Sequence, residues 1–169
     1  MSDHPDAYEL LKKIIHLSTT PLSIKDKLDQ MLKAIKEVLG ADQILLLRRE
    51  EIVENGFLWR LALEKKPFLI EDESSLPKEN VHPKEKEFLR PPFACLPLYE
   101  KDTFQGTLYI GFPRNRKLSS QEMDLLVLVT KEMGEAIQFS HLQQKVQQTS
   151  SELTALHEMG KVATSTLKL

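Results

Sequence analysis

Residues 93–112 read FACLPLYEKDTFQGTLYIGF, two apolar stretches with aromatic residues on either side of a short polar segment that ends in a glycine. This pattern is typical of a β-hairpin. We predict strands over 93–99 and 107–112, joined by a turn at 100–106. Because proline has no amide hydrogen, Pro97 predicts that the first strand lies at a sheet edge or a bulge at that residue.

Two helices and a strand are predicted before this hairpin. Apolar residues at three- and four-residue spacing predict a helix over about 6–17 and a second helix that begins at Ser23 and ends before Gly40. Asp26 completes a variant of the capping box with Ser23, and Gly40 can adopt the left-handed conformation that ends many helices. The short apolar segment 43–48 then predicts a buried strand.

Shorter elements are predicted between that strand and the hairpin. Residues 56–64 favour a helix, although Asn55-Gly56 could instead form a tight hairpin turn that leads into a strand. The other elements predicted here are a strand, a loop and a short helix, at 68–70, 72–82 and 83–89 respectively. Lys84 to Glu87 alternates in charge, which predicts a solvent-exposed helix face.

The last predicted element is a long helix that extends beyond the domain. Ser119 and Glu122 form a capping box, and no proline follows before Gly160. A helix of about forty residues is ~60 Å long, more than the width of a small domain. From Phe139 onward its apolar residues are three and four positions apart, as in the seam of a two-stranded coiled coil. The predicted dimer seam consists of Leu142, Val146, Leu153 and Leu156.

Composition places the chain among ordinary globular proteins. Its 169 residues are 41% hydrophobic and 28% charged, which suits one domain with a proper core. The apolar runs are far shorter than the ~20 residues of a membrane span, and the first residues do not resemble a signal peptide. A net charge of −2 with interspersed signs gives no argument for nucleic acid or an anionic membrane. With a single cysteine, Cys95, we expect a cytoplasmic protein.

No motif in the sequence predicts catalysis or metal binding. The five histidines are scattered, and Cys95 has no partner at metal-ligand spacing, so it is interpreted as a buried structural thiol. The six glycines do not form a phosphate-binding loop, and there is no nucleophile elbow. Arg48-Arg49 is followed by Glu50-Glu51, so this segment is locally neutral and predicts no binding patch. The sequence does not identify a cofactor.

The order of these elements resembles a GAF domain over about residues 7–142. The local resemblance lies in five segments: 39–47, 59–72, 96–98, 105–110 and 118–122. It implies an α+β fold of the PAS-like type, with a central antiparallel sheet flanked by helices and a long C-terminal signalling helix. The first two helices and the start of the long helix are expected on one face of the sheet, and the short helix with the 72–90 segment on the other.

The resemblance also implies where a small-molecule ligand would bind. The residues it places near the family's pocket are Trp59, Asp72, His82 and Tyr99. Each also has a structural interpretation: a core tryptophan, an aspartate that ends a strand and starts a turn, a solvated loop histidine, and a tyrosine that leads into the hairpin. GAF domains usually have two more strands between the first strand and the short helix, where this chain has only 50–55, and that difference argues against a closed pocket.

The C-terminal residues suggest that a second domain follows. At an offset of 145 positions, 156–167 resembles 11–22. We therefore predict a GAF-like domain at 1–140, a coiled-coil linker helix at 141–160, and the start of a following domain at 161–169. The alternative is an amphipathic tail without such ancestry.

The function implied by the resemblance is regulatory and not enzymatic. The chain is expected to relay a signal through dimeric coiled-coil helices in a bacterial signalling protein, such as a histidine kinase or a transcriptional regulator. Its expected partners are a second copy, a C-terminal output domain and, if a pocket exists, a small molecule. Two alternatives stay open: a ligand-free dimerisation spacer, and an enzyme with unrecognised residues. A cavity with convergent polar groups favours sensing, whereas a filled apolar interior favours the spacer.

Overall fold

The predicted hairpin forms the two central strands of a four-stranded antiparallel sheet in the computed structural model, which describes residues 3–76 and 81–167. Side chains are described for 8–76 and 81–160. The strands are β1 (Gln43–Arg48), β2 (Phe68–Ile70), β3 (Phe93–Glu100) and β4 (Thr103–Gly111), in the sheet order β1-β4-β3-β2. The helices are α1 (Asp3–Thr19), α2 (Ile24–Leu39), α3 (Phe57–Glu64) and α4 (Ser120–Leu167). Residues 77–80 of the predicted loop and 168–169 of the predicted following domain lie outside the described residues.

The hairpin is longer and its turn shorter than predicted. Pairing continues to Glu100 and Thr103, so the turn consists of Lys101 and Asp102, and Lys101 has a positive φ of 57°. At a register shift beside Leu98, β4 has one residue more than β3. Beyond the shift, pairing continues through the polar residues at the tip of the hairpin. β2 pairs with β3 only as far as Cys95, so Pro97 has a strand on one side only, as its missing amide hydrogen predicts.

The sheet separates two hydrophobic cores, as the predicted layers require. The large core lies between the sheet and helices α1, α2 and α4. Its most deeply buried side chains are Ile14, Met31, Ile35, Ala94, Leu98, Leu108, Ile110, Leu126, Val129 and Met133. The small core lies on the opposite face, under α3 and residues 81–92, the segment before β3. Its buried residues are Ile52, Phe57, Leu58, Leu61, Ile70, Val81, Leu89, Phe93, Cys95 and Tyr109.

Three elements differ from the sequence predictions. β1 is an edge strand whose apolar residues Ile44 to Leu47 are half-exposed, and not a buried strand. Residues 83–89 form only a single 3₁₀ turn at Glu85–Glu87. α4 continues through Gly160 to Leu167, because one glycine costs a helix only about 1 kcal/mol relative to alanine. The helical interpretation of 56–64 is confirmed, since α3 begins directly after Gly56.

The predicted helix caps are present. The Asp26 amide donates to Ser23 Oγ over 3.2 Å, and Gly40 ends α2 with a φ of 65°. At the start of α4, the Ser119 amide donates to Glu122 Oε1 over 3.0 Å, and the Glu122 amide donates to Ser119 Oγ over 3.1 Å. Arg116 donates to both carboxylate oxygens of Glu122 and, through Nε, to the Leu39 carbonyl oxygen. This network joins the C-terminal end of α2 to the N-terminal end of α4.

Glu122 is expected to make the stability of the domain depend on acidic pH. Burial alone raises the pKa of Glu122, but the hydrogen bonds from Arg116 and Ser119 favour the charged form, so the pKa lies below its ordinary value of 4.5. A carboxyl group whose pKa is lowered by folding stabilises the folded state above its ordinary pKa, and this contribution disappears as the pH falls through the folded pKa. Wild type should therefore lose its stability advantage over Glu122→Gln below about pH 4.5 in urea unfolding. The control Glu37→Gln removes the same charge from an exposed position, and equal behaviour of the two variants would contradict the assignment.

α4 leaves the body of the domain after Ile137. Up to that residue its inward side chains are buried in the large core. Beyond it the apolar residues are exposed, with relative accessibilities between 51% for Leu142 and 67% for Val146. The 48-residue helix is about 72 Å long at 1.5 Å per residue. Within the described part of the chain, no helix has the length and hydrophobicity needed to cross a bilayer.

Candidate functional site

Side chains fill the space between α3 and the sheet. The Phe93 ring lies at the centre, edge-on to Tyr109 at a centroid distance of 5.3 Å and tilted against Phe57 at 6.2 Å. Phe88 packs edge-on against the other side of Tyr109 at 5.5 Å. Tyr109 also fixes the segment before β3, because its hydroxyl donates to the Phe88 carbonyl oxygen over 2.7 Å and accepts from the Arg90 amide over 3.4 Å. Burial raises the pKa of Tyr109, so the phenol remains a neutral donor.

Glu85 places a carboxylate in this apolar region. Its side chain is 1% exposed, and it accepts from the Phe57 amide over 2.8 Å and the Leu58 amide over 2.9 Å. The His82 amide donates to the same carboxylate over 3.0 Å. These contacts bind the segment before β3 to the N-terminus of α3, where the helix dipole favours a negative charge. The prediction that Lys84 to Glu87 forms a solvent-exposed face is therefore wrong at Glu85.

Gly56 explains why α3 needs this carboxylate. It occupies the N-cap position but has no side chain that could accept from the first amides of the helix. A Cβ atom built on Gly56 would lie 2.5 Å from Glu85 Oε1, so the absence of a side chain also makes room for the acceptor. The sequence signal that could have predicted a distant acceptor is a glycine at the N-cap of an apolar helix, because glycine has no side chain to accept from the first amides.

Cys95 is the buried structural thiol that its position in a strand predicted. It is 1% exposed and lies in the small core between β2 and β4. Burial raises the pKa of the thiol, and the charge of Glu85 raises it further. Cys95 is therefore a neutral thiol, without the thiolate character on which nucleophilic or redox chemistry depends.

The structure gives each predicted pocket residue a place. Trp59 is half-buried on α3 and packs at the margin of the small core. Tyr99 donates from its hydroxyl to the Ala62 carbonyl oxygen near the end of α3, and burial raises its pKa. Asp72 is exposed and accepts from the Ser75 amide over 3.1 Å, and hydrogen bonds from Ser74 and Ser75 hold the pKa of Asp72 below its usual value. His82 Nδ1 accepts from the Lys84 amide over 3.1 Å.

These four residues are placed at different points around the small core. Tyr99 contacts the C-terminal end of α3, whereas His82 is joined through Glu85 to its N-terminal end. Asp72 caps a 3₁₀ turn after β2. Within the described residues, each of the three makes hydrogen bonds to its own chain, and ligand contact by any of the four stays a prediction. The described residues also contain no group of three His, Cys, Asp or Glu side chains that could hold a metal ion.

The family of the fold is shown by a sequence match. Residues 26–138, about two thirds of the chain, match the family model described as the GAF domain. No curated protein sequence matches the chain.

Solved structures share the fold at low sequence identity. The GAF domain of a phosphoenolpyruvate-protein phosphotransferase from Coxiella burnetii has a TM-score of 0.67 and 14% identity, over 86% of this chain and 99% of that one. The phycocyanobilin-bound GAF domain of a cyanobacterial phytochrome has 0.63 and 18%, over 81% and 96%. Free methionine-R-sulfoxide reductase from Neisseria meningitidis has 0.67 and 12%, over 81% and 91%. At these identities the likeness shows the fold alone.

Proposed function

This chain belongs to the GAF domain family, whose members are sensory and regulatory modules of signalling proteins, and we propose that its output is the pairing of α4 with α4 of a second copy. The observation that carries the proposal is the exposed apolar stripe on α4 beyond Ile137. The stripe is defined by Phe139, Leu142, Val146, Leu153 and Leu156, each more than half exposed.

The spacing and residue types of the stripe suit a two-stranded coiled coil, which we propose is parallel. The positions alternate in steps of three and four, which puts Phe139, Val146 and Leu153 at heptad position a. Leu142 and Leu156 then occupy position d. Within a parallel coiled coil, a β-branched residue at a, as at Val146, with leucine at d favours two strands. Thr149 fills the remaining d position and weakens the seam, which suits a dimer that must change its packing.

The filled small core favours a module that does not take a ligand between α3 and the sheet. Phe93, Tyr109 and Glu85 occupy that space and satisfy one another or nearby backbone groups. This observation supports the second candidate, a dimerisation module without a ligand in the family's pocket. Both candidates require α4 to pair, so they differ in what controls the pairing.

The proposal includes the protein in which the module works. The similarity of 156–167 to 11–22 supports a second domain of the same type after the linker helix 141–160, and α4 is helical through Leu167. A continuous helix would transmit a rotation or shift from one domain to the next. We propose a cytoplasmic bacterial histidine kinase or transcriptional regulator as the host.

A regulatory role is also supported against an enzymatic one. One protein that shares the fold is a free methionine-R-sulfoxide reductase. The single cysteine of this chain is buried, and an internal thiol–disulfide cycle needs two.

Sedimentation equilibrium of the purified chain tests the proposal. Wild type is expected to be dimeric at micromolar concentration, and Leu142→Asp with Leu153→Asp should be monomeric, because each aspartate would place a charge in the seam. The matched control is Leu63→Asp, which changes a 67% exposed leucine on α3 and should leave the dimer intact. A wild-type monomer at high micromolar concentration would overturn the proposal, as would equal dissociation of the Leu63→Asp variant.

Cross-linking at Val146 tests whether the helices are parallel. In a parallel pair, Val146→Cys places two thiols at the same level of the seam, so oxidation should give a disulfide-linked dimer. Thr154→Cys lies on the same helix outside the seam and should cross-link much less. Wild type, whose single cysteine is the buried Cys95, measures the background of cross-linking.

A further inference from the structure

We propose that the domain has a binding site for a small organic anion outside the small core, at the point where α4 leaves the body of the domain (called here the base of α4). The site, called here the base cavity, has a volume of about 250 Å³. It lies between the end of β1, the tip of the β3–β4 hairpin and the last body-packed turn of α4. Its charged and polar walls include Arg48, Arg49, Glu50, Gln105, Gln138 and His141.

Two neighbouring arginines outnumber the single carboxylate, Glu50, among the residues that line the base cavity. Successive side chains of a strand point to opposite faces, but β1 ends at Arg48 and a 3₁₀ turn begins at Arg49, so both side chains line the same cavity. Within 8–76 and 81–160, neither guanidinium has a carboxylate within 4.0 Å. Glu50 is in the same wall but forms no such ion pair. The segment 48–51 is balanced in charge as a whole, and its Glu51 accepts from the Arg48 amide, but the cavity wall itself contains two arginines and one glutamate.

The other walls define the rest of the ligand. Gln105 Nε2 donates to Gln138 Oε1 over 3.1 Å, which joins the hairpin to α4 and leaves further amide groups for a ligand. Leu46, Phe104 and Ile137 provide an apolar surface. A guanidinium pair binds carboxylate or phosphate oxygens through directed, charge-assisted hydrogen bonds. The ligand class is therefore a small carboxylate or phosphate with a short apolar body.

The location gives the anion a means of regulation. Gln138 and His141 belong to α4, whereas Arg48 and Arg49 belong to the body of the domain. An anion held between them would fix the direction in which α4 leaves the domain, immediately before Leu142 begins the proposed seam. Control of dimer packing by the anion rests on the proposed function, whereas binding of the anion does not.

Titration calorimetry of the full chain with citrate and with pyrophosphate tests binding. We expect at least one of the two probes to bind, and Arg48→Gln with Arg49→Gln to weaken that binding about tenfold or more through the loss of two charge-assisted contacts. The control is Arg60→Gln with Lys66→Gln, which removes the same charge from exposed positions around α3. Binding of citrate alone assigns the site to carboxylates, and binding of pyrophosphate alone assigns it to phosphates.

Two results would overturn the proposal: no binding of either probe, or equal weakening by the control variant. The titrations are repeated on the Leu142→Asp, Leu153→Asp variant, so that failure of the coiled coil does not affect the binding result. Side-chain amide NMR signals of Gln105 and Gln138 should shift with the probe in both backgrounds. Circular dichroism of the arginine variant confirms that it folds before its affinity is interpreted.

Discussion

Replacing Glu85 with alanine is expected to lower the free energy of unfolding by about 3 to 5 kcal/mol, because three backbone N–H groups lose their acceptor at once. The Phe57 and Leu58 amides are buried, and Gly56 cannot replace the acceptor. α3 and the segment before β3 also lose the contact that joins them. The measurement is urea unfolding followed by the fluorescence of Trp59, the single tryptophan of the chain, which lies on α3.

Two further variants make this prediction specific. Glu87→Ala removes an exposed glutamate from the same 3₁₀ turn and should change the stability by less than about 0.5 kcal/mol. Glu85→Gln keeps the shape but presents an NH₂ group to backbone donors, so its stability should lie between those of wild type and Glu85→Ala. If Glu85→Ala were as stable as Glu87→Ala, the carboxylate would not hold α3 in place. Faster hydrogen exchange of the Phe57 and Leu58 amides should accompany the loss.

The role of Glu85 bears on whether this domain senses a ligand between α3 and the sheet. In this chain the amides at the start of α3 are already satisfied from within, and Phe93 and Tyr109 pack directly beneath the helix. A ligand would have to displace a buried, hydrogen-bonded carboxylate before it reached those amides. The base cavity requires no such displacement, since Arg48 and Arg49 line an open space. Control from the base of α4 is therefore the simpler physical arrangement.

Local interactions explain which parts of the fold could be predicted from the sequence. The hairpin, the Ser23 N-cap, the Ser119–Glu122 capping box and the left-handed Gly40 depend on residues close together in the chain, and all are present. The exposed edge position of β1 could not be predicted in this way, because it depends on which strands pair with it. The same is true of the Lys101-Asp102 turn, since the strands continue through polar residues that their partners hold in register.

Long-range contacts explain what the sequence did not predict about the sites. Glu85 is 28 residues from Phe57, so its alternating-charge neighbourhood gave no sign that it is buried. Arg48 and Arg49 balance Glu50 and Glu51 in sequence, and only the fold of the hairpin and α4 around the end of β1 forms the cavity that both arginines and Glu50 line. Trp59, Asp72, His82 and Tyr99 were suggested by resemblance. Their hydrogen bonds and packing within this chain depend on α3 and on the segment before β3.

Replacing Gly106 with alanine is expected to destabilise the domain by about 3 to 5 kcal/mol, through backbone strain and a steric clash together. Gly106 pairs with Arg48 of β1 and Leu98 of β3 next to the register shift, and its φ is 155°. A Cβ atom there would lie 2.5 Å from the Leu47 carbonyl oxygen, and that backbone atom cannot move without opening the β1–β4 pairing.

Urea unfolding measures the loss of stability in Gly106→Ala, with Gly160→Ala as the control. A Cβ on Gly160 meets nothing within 4 Å, so that helical substitution should be neutral or stabilising by up to about 1 kcal/mol. Because the end of β1 also positions Arg48 and Arg49, Gly106→Ala should weaken anion binding as well as stability. Wild-type stability of Gly106→Ala would mean that β1 and β4 are farther apart at this point than the structure places them.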